Sequence, residues 1–113
     1  MSIKISSLKK NKDFKSLLSG RKINNKYLTI FFKKLSNKNN KRLNISFVTK
    51  KKIGNAVKRN KIKRRLKNMV LDICKKINLN LSYSYLLIAK NKILDEEFNI
   101  IREALFEEFK KVK

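Results

Sequence analysis

The chain has no histidine, no proline and no tryptophan, and only two glycines and one cysteine among its 113 residues. Each absence narrows the chemistry. Without histidine there is neither the usual general base near neutral pH nor the commonest metal ligand. Gly20 and Gly54 stand alone, so no glycine-rich phosphate loop can be assembled. A lone Cys74 gives no disulfide framework and no thiolate cluster, and reads as a small buried or half-buried side chain. No apolar run approaches the roughly twenty residues that a membrane span needs. The first residues lack the apolar stretch of a signal peptide, so the cytoplasm is the expected compartment. No nucleophile-and-base set can be built from what remains. The expected catalytic residues are therefore none, and the expected metal ligands none.

Acids are the other scarcity: eight Asp and Glu stand against 31 Lys and Arg, a formal net charge of +23. From Phe14 to Leu71 there is no acid at all, whereas six of the eight fall between Asp95 and Glu108. Such a field opposes folding by self-repulsion, and a polyanionic partner relieves it. Nucleic acid is the leading candidate. An anionic membrane surface suits the chain less well, because the basic stretch lacks Trp and its apolar stripe is needed for a core. Lys outnumbers Arg and Asn is abundant, a compositional bias that warns against reading every lysine as a contact.

Apolar residues make up 42% of the chain, enough for one modest core, and residues 1–113 are expected to form a single domain. Ser7 to Leu18 reads as a short helix with Leu8, Asn11, Phe14, Lys15 and Leu18 on one face and Gly20 at its stop. Polar residues 21–26 lead into an aromatic, β-branched strand from Tyr27 to Phe32. Lys33 to Arg42 suits a solvated loop, and Leu43, Ile45 and Phe47 alternate with polar neighbours as a half-buried strand does. Asn55 is a plausible N-cap for a helix reaching about Ile77, with Ile62, Leu66, Met69, Val70, Ile73 and Ile77 as its apolar stripe. Tyr83 to Ala89 reads as a buried strand, and Asp95 as the opening of a last helix that turns Phe98, Ile101, Leu105 and Phe109 inward. The fold class is α+β, helices against a small sheet.

The two long helices treat the helix dipole differently. Acids favour a helix N-terminus and bases its C-terminus. The last helix obeys, with Asp95, Glu96 and Glu97 in front and Lys110, Lys111 and Lys113 behind. The middle helix opens instead on Lys58, Arg59, Lys61, Lys63, Arg64 and Arg65. Each exposed base so placed costs a few tenths of a kcal/mol, and a bound phosphate reverses the sign. At about 100° per residue, Lys58, Lys61 and Arg65 share one flank of the apolar stripe. Asn60, Arg64 and Lys67 lie on the opposite side, and Arg59 projects nearer the stripe.

Residues 48–67, VTKKKIGNAVKRNKIKRRLK, closely resemble the signature of the protein subunit of bacterial ribonuclease P, in which a strand ending in Val-Ser/Ala-Lys-Lys precedes a helix bearing Arg-Asn-Arg-Ile-Lys-Arg. Leu8-Lys9-Lys10 with Asp13-Phe14, the aromatic strand, the strand end Ile88-Ala89-Lys90 and the amphipathic last helix agree with that family in order. One position departs: the second Arg of the triplet is Lys61, which keeps the charge and loses the bidentate fork. The resemblance implies a sheet of about four strands in the order αβββαβα, with a left-handed crossover, like the second domain of ribosomal protein S5. It implies a ribonucleoprotein that removes 5′ leaders from precursor tRNA, with catalytic groups on the RNA subunit and magnesium held mainly by the RNA subunit and substrate, none of it tightly by this chain. The implied partners are the catalytic ribonuclease P RNA and precursor tRNA, with no membrane and no obligate protein partner. By that resemblance Arg59, Asn60, Lys61, Lys63, Arg64 and Lys67 dock on the RNA subunit. Phe14 faces the leader with Leu18 beside it, and Tyr27, Phe31 or Phe32 stack bases. Lys50 and Lys51 bridge the leader cleft and the docking helix.

A ribosomal or general RNA-binding protein would satisfy the composition and the dipole argument equally well. A helix-turn-helix DNA reader is disfavoured, since no short helix precedes the basic one at the required spacing.

Overall fold

The computed structural model describes residues 4–8, 11–35 and 41–112. Its elements are strand β1 (Ile5–Ser6), helix α1 (Asn11–Leu18), strands β2 (Arg21–Asn24), β3 (Leu28–Lys34) and β4 (Leu43–Thr49), helix α2 (Ala56–Lys76), strand β5 (Tyr83–Ala89) and helix α3 (Phe98–Lys110). Short 3₁₀ turns at Lys51–Ile53 and Asn91–Leu94 lead out of β4 and β5. The strands form one mixed sheet in the order β1-β4-β5-β3-β2. β4 and β5 run parallel with α2 as their crossover, while β3 is antiparallel to both β2 and β5. The α+β class and the order αβββαβα hold, preceded by the two-residue β1.

Strand alternation divides the side chains between two layers. On one face Leu28, Ile30 and Phe32 of β3, Leu43 and Ile45 of β4, and Tyr85 and Leu87 of β5 meet α2 and α3. Leu66, Met69, Val70 and Ile73 fill this layer from α2, and Ile101, Leu105 and Phe109 from α3. Tyr85 and Phe109 close it edge to face, with ring centroids 5.7 Å apart. The opposite face carries a smaller cluster in which Leu8, Leu17 and Leu86 are buried and Phe14, Phe31, Val48 and Ile88 are half-buried. Among the described residues, α1 and Leu8 cover part of that side, and lysines ring a concavity on the rest of it.

The α2 boundaries fall where capping chemistry puts them. Asn55 accepts a hydrogen bond from Lys58 N at 2.9 Å, and Lys75 and Lys76 occupy the last turn. Other expectations change. The first helix begins at Asn11, not Ser7; Ile5–Ser6 instead pairs with Leu43–Asn44, and Leu8 N donates to Ser46 Oγ at 2.8 Å. Leu17, fully buried, is the inward residue of α1, whereas Leu18 is 52% exposed. Polar residues 21–24 form the edge strand β2, so the sheet has five strands where the pattern read three. β4 is a central strand, and its Asn44 and Ser46 are buried rather than solvated. α3 starts at Phe98, because residues 91–94 first make a 3₁₀ turn; Glu97 is its N-cap, and Asp95 and Glu96 precede the helix. The loop expected from Lys33 to Arg42 is strand as far as Lys34; its residues 36–40, like Lys9 and Lys10, lie outside the described residues.

Candidate RNA interface

The basic segment is displayed by a chain reversal. β4 ends at Thr49, the 3₁₀ turn carries Lys51 and Lys52, and Gly54-Asn55 starts α2. No acid lies in the first turn of α2. Asn60, Lys61, Arg64 and Lys67 are exposed, and Arg59 and Lys63 are half-buried. Arg59 Nε is buried and meets no hydrogen-bond acceptor among the described residues. Val57, 79% exposed, adds an apolar contact point beside these charges.

The flanks of α2 face different surroundings. Arg65 reaches toward α3, its guanidinium 5.2 Å from the Phe98 ring centre. Lys63, Arg64 and Lys67 face the other way, into a groove of about 510 Å³ that they share with Phe14, Leu8, Ser46 and Val48.

A second concavity, of about 520 Å³, opens on the α1 side of the sheet where β4 and β5 end. Phe31, Thr29 and Ile88 line it from the strands. Lys22, Lys26, Lys50, Lys52, Lys90 and Lys92 ring it, with Asn24 and Asn91 between them. Its charges are not all alike. Lys90 Nζ donates to Asn25 O at 2.6 Å and to Asn24 Oδ1, while Lys90 N donates to Tyr27 O at 2.8 Å. Lys90 therefore clamps the β2–β3 turn. That turn is held from within by Asn25 Oδ1, which accepts from Tyr27 N and Leu28 N, and from α3 by Glu108, which accepts from Asn25 Nδ2 at 3.3 Å. A tethered turn keeps Lys22 and Lys26 on the rim.

The expected leader-facing residues separate by layer. Phe14 and Phe31 lie half-buried on the α1 side of the sheet, Phe14 lining the groove beside α2 and Phe31 the lysine-ringed concavity. Phe32 points into the core, where Tyr85 and Tyr83 pack on it, and it is only 4% exposed. Tyr27 is equally buried, its hydroxyl donating to Glu96 at 3.0 Å. Neither ring can receive a base without unfolding the core, so both leave the stacking set. Leu18 is exposed at the end of α1, and Lys50 lines the lysine-ringed concavity together with Lys52 rather than with Lys51. Lys22, Asn24, Lys26, Lys52, Lys90 and Lys92 escaped sequence reasoning. Each is one lysine or asparagine in a chain full of them, and only the sheet order brings them together.

Among the described residues no group of three or more His, Cys, Asp or Glu side chains is arranged to hold a metal ion, and no helix is long and apolar enough to cross a membrane. Burial pushes the Cys74 thiol up to about 11, and it raises Tyr85 further, with Tyr83 and Cys74 adding to the effect. Neither group is poised as a nucleophile or acid at neutral pH. Among the described residues, the surface offers exposed cations and two half-buried aromatic rings.

Comparison with known proteins gives the same picture. The family model for ribonuclease P matches residues 4–113. The ribonuclease P protein component of Carboxydothermus hydrogenoformans is 32% identical over 100 residues, covering 87% of this chain and 83% of that protein. That of Mesomycoplasma hyopneumoniae is 32% identical over 111 residues, covering 97% and 95%. The solved structure of the Staphylococcus aureus RNase P protein superposes with a TM-score of 0.74 at 28% identity, covering 92% of each chain.

Proposed function

The chain belongs to the ribonuclease P protein family, and we propose that it binds the catalytic RNA and the 5′ leader of precursor tRNA, assisting endonucleolytic removal of that leader. As a ribonuclease P protein component it is one part of a ribonucleoprotein holoenzyme whose partner is the ribonuclease P RNA. The start of α2, with Lys58, Arg59, Asn60 and Lys61, grips the RNA subunit through its phosphates. The open face of the sheet, with Phe14, Phe31 and the lysine-ringed concavity, receives the single-stranded leader. Unpaired bases stack on the two rings and lysines neutralise the backbone, a sequence-tolerant mode worth about 1–3 kcal/mol per stacked base. Magnesium sits on the RNA and the substrate, which supply the hydrolytic chemistry in the cytoplasm. The chain's own residues bind and orient.

The observation that carries this reading is the sorting of aromatics by layer. Among the described residues, Phe14 of α1 and Phe31 of β3 lie half-buried on the same side of the sheet, each lining a groove rimmed by basic residues. The test is reconstitution: the chain is added to a ribonuclease P RNA at low magnesium and leader removal from precursor tRNA is followed. Stimulated cleavage at the mature 5′ end is expected. Unchanged cleavage would point instead to a general RNA-binding protein.

A further inference from the structure

We propose that Glu108 of α3 is a positioning residue for leader binding: its carboxylate orients the Asn25 side chain and so fixes the β2–β3 turn that carries Lys22 and Lys26 on its flanks. This rests on the function proposed above and adds to it a residue with no RNA contact of its own.

Glu108 stands where α3 should be apolar. Seven residues after Ile101, it comes round to within about 20° of it on the helix, on the face that Ile101, Leu105 and Phe109 bury against the sheet. It is 7% exposed, and among the described residues it is the only buried side chain that carries a charge. Burying a carboxylate costs stability unless partners replace the lost water. Lys111 Nζ donates to Glu108 Oε1 at 2.9 Å, one turn further along the chain. That pair does not account for the inward position, because Glu107 makes the same i,i+3 pair with Lys110, at 2.8 Å, with both side chains exposed.

What the inward position adds is a use for the second oxygen. Asn25 Nδ2 donates to Glu108 Oε2 at 3.3 Å. A side-chain amide can turn either its oxygen or its NH₂ in a given direction, and a carboxylate only accepts, so Glu108 sets the choice. Asn25 Oδ1 is thereby aimed at Tyr27 N and Leu28 N, at 2.8 and 3.0 Å. Asn25 N donates to Leu28 O at 3.0 Å, and Asn25 O accepts from Lys90 Nζ. All four polar groups of Asn25 are engaged. Glu96 holds the turn a second time through the Tyr27 hydroxyl, so two of the acids clustered between Asp95 and Glu108 serve this one turn. Lys22 and Lys26 line the concavity beside Phe31, and Lys22 pairs with Phe31 across the β2–β3 ladder. A turn held in this way presents both lysines before RNA arrives. A freed turn would still reach phosphates, but would have to be ordered on binding.

The test exchanges donor and acceptor. Glu108→Leu removes the acceptor and keeps the inward face filled; replacing a buried charge by an apolar group is often neutral or stabilising, so Tm should hold or rise. Precursor affinity of the chain assembled with ribonuclease P RNA, measured in calcium, should nevertheless fall about two- to tenfold, the cost of immobilising one long side chain on binding. Its salt slope should not change, because the lysines still make their contacts. Lys22→Gln, which deletes a contact, should lower that slope by about 0.7. Mature tRNA affinity should be unaffected by Glu108→Leu. Asn25→Asp keeps both acceptor bonds inside the turn and sets carboxylate against carboxylate, so it should show the same loss. Combining Asn25→Asp with Glu108→Gln reverses the direction of the hydrogen bond, and should recover both wild-type precursor affinity and slow amide exchange at Tyr27 and Leu28. Wild-type affinity in Glu108→Leu, or no recovery in the double variant, would overturn the assignment. A loss shared equally by both tRNAs, or one that tracks a lowered Tm, would overturn it too, leaving Glu108 a purely structural role. If the wild-type assembly did not favour precursor over mature tRNA, the function proposed above would fall, while the exchange rates of the same variants would still decide whether Glu108 fixes the turn.

Discussion

Lys58→Glu should make the free protein more stable and its RNA complex weaker. Lys58 is the third residue of α2, and its backbone N–H is the one that Asn55 caps. Its ammonium sits where the helix dipole is positive, and no acid in that turn offsets it. Removing a base there recovers about 0.3–1 kcal/mol, and placing a carboxylate there adds a similar amount. The sum is about 1 kcal/mol, which for a domain of this size is an upward shift of roughly 4 °C in Tm at low salt. High salt should erase most of it. The Lys58 stem also lies against Gly54, so Lys58→Gln serves as the control for lost packing. Binding moves oppositely. One lost phosphate contact lowers the log–log salt slope for RNA by about 0.7–0.9, and the new carboxylate repels the backbone it replaces. Thermal melts at two salt concentrations and a filter-binding salt series on ribonuclease P RNA are sufficient. A lowered Tm, or RNA affinity equal to wild type, would refute the idea that the basic start of α2 trades stability for phosphate binding.

Other substitutions read other parts of the structure. Leu17→Ala, at a fully buried site, should cost about 2–5 kcal/mol in chemical denaturation, whereas Leu18→Ala should stay within about 0.5 kcal/mol as surface changes do. Phe32→Ala should destabilise the fold by about 3–5 kcal/mol, while Phe14→Ala, at a half-buried ring, should cost clearly less and weaken precursor binding, with mature tRNA unaffected. Lys90→Met should loosen the β2–β3 turn, seen as faster amide exchange at Tyr27 and Leu28, without lowering the salt slope for RNA. Raised pKa values for Cys74 and Tyr85 mean that folding holds their protons more tightly than the unfolded chain does. The stability they contribute is complete below about pH 9 and falls as pH rises toward about 11 for Cys74. The alkaline decline should be shallower in Cys74→Ser, measured by urea midpoints across that range.

The parts of the fold that were legible are those where local chemistry and periodicity agree. α2 shows both its Asn55 cap and an uninterrupted apolar stripe, and β5 is a short apolar run between polar stretches, so their placement followed directly. β2 was illegible because a short edge strand needs little apolar alternation, and in Arg-Lys-Ile-Asn only Ile23 packs against the core. The alternation of β4 suggested one wet face, but Asn44 and Ser46 are buried there and Leu8 N donates to Ser46 Oγ, which only the tertiary arrangement decides. The same limit applied to the site. That Phe31 and Phe32 face opposite ways was certain, whereas which of them meets the core depends on the side taken by α2. The Arg59–Lys67 segment was visible as a motif, but the two flanks of its helix acquire different neighbours only when β4 and α1 lie on one side and α3 on the other.

The central claim is that this chain holds RNA while the RNA subunit performs the chemistry, and one measurement reaches it most directly. Equilibrium affinities of ribonuclease P RNA for precursor and for mature tRNA are determined with and without the chain, in calcium or another ion that supports binding without cleavage. The account requires the chain to tighten binding of the precursor and leave that of the mature tRNA unchanged, with the gap abolished by shortening the leader. Equal tightening of both tRNAs would show that the open face of the sheet does not receive the leader.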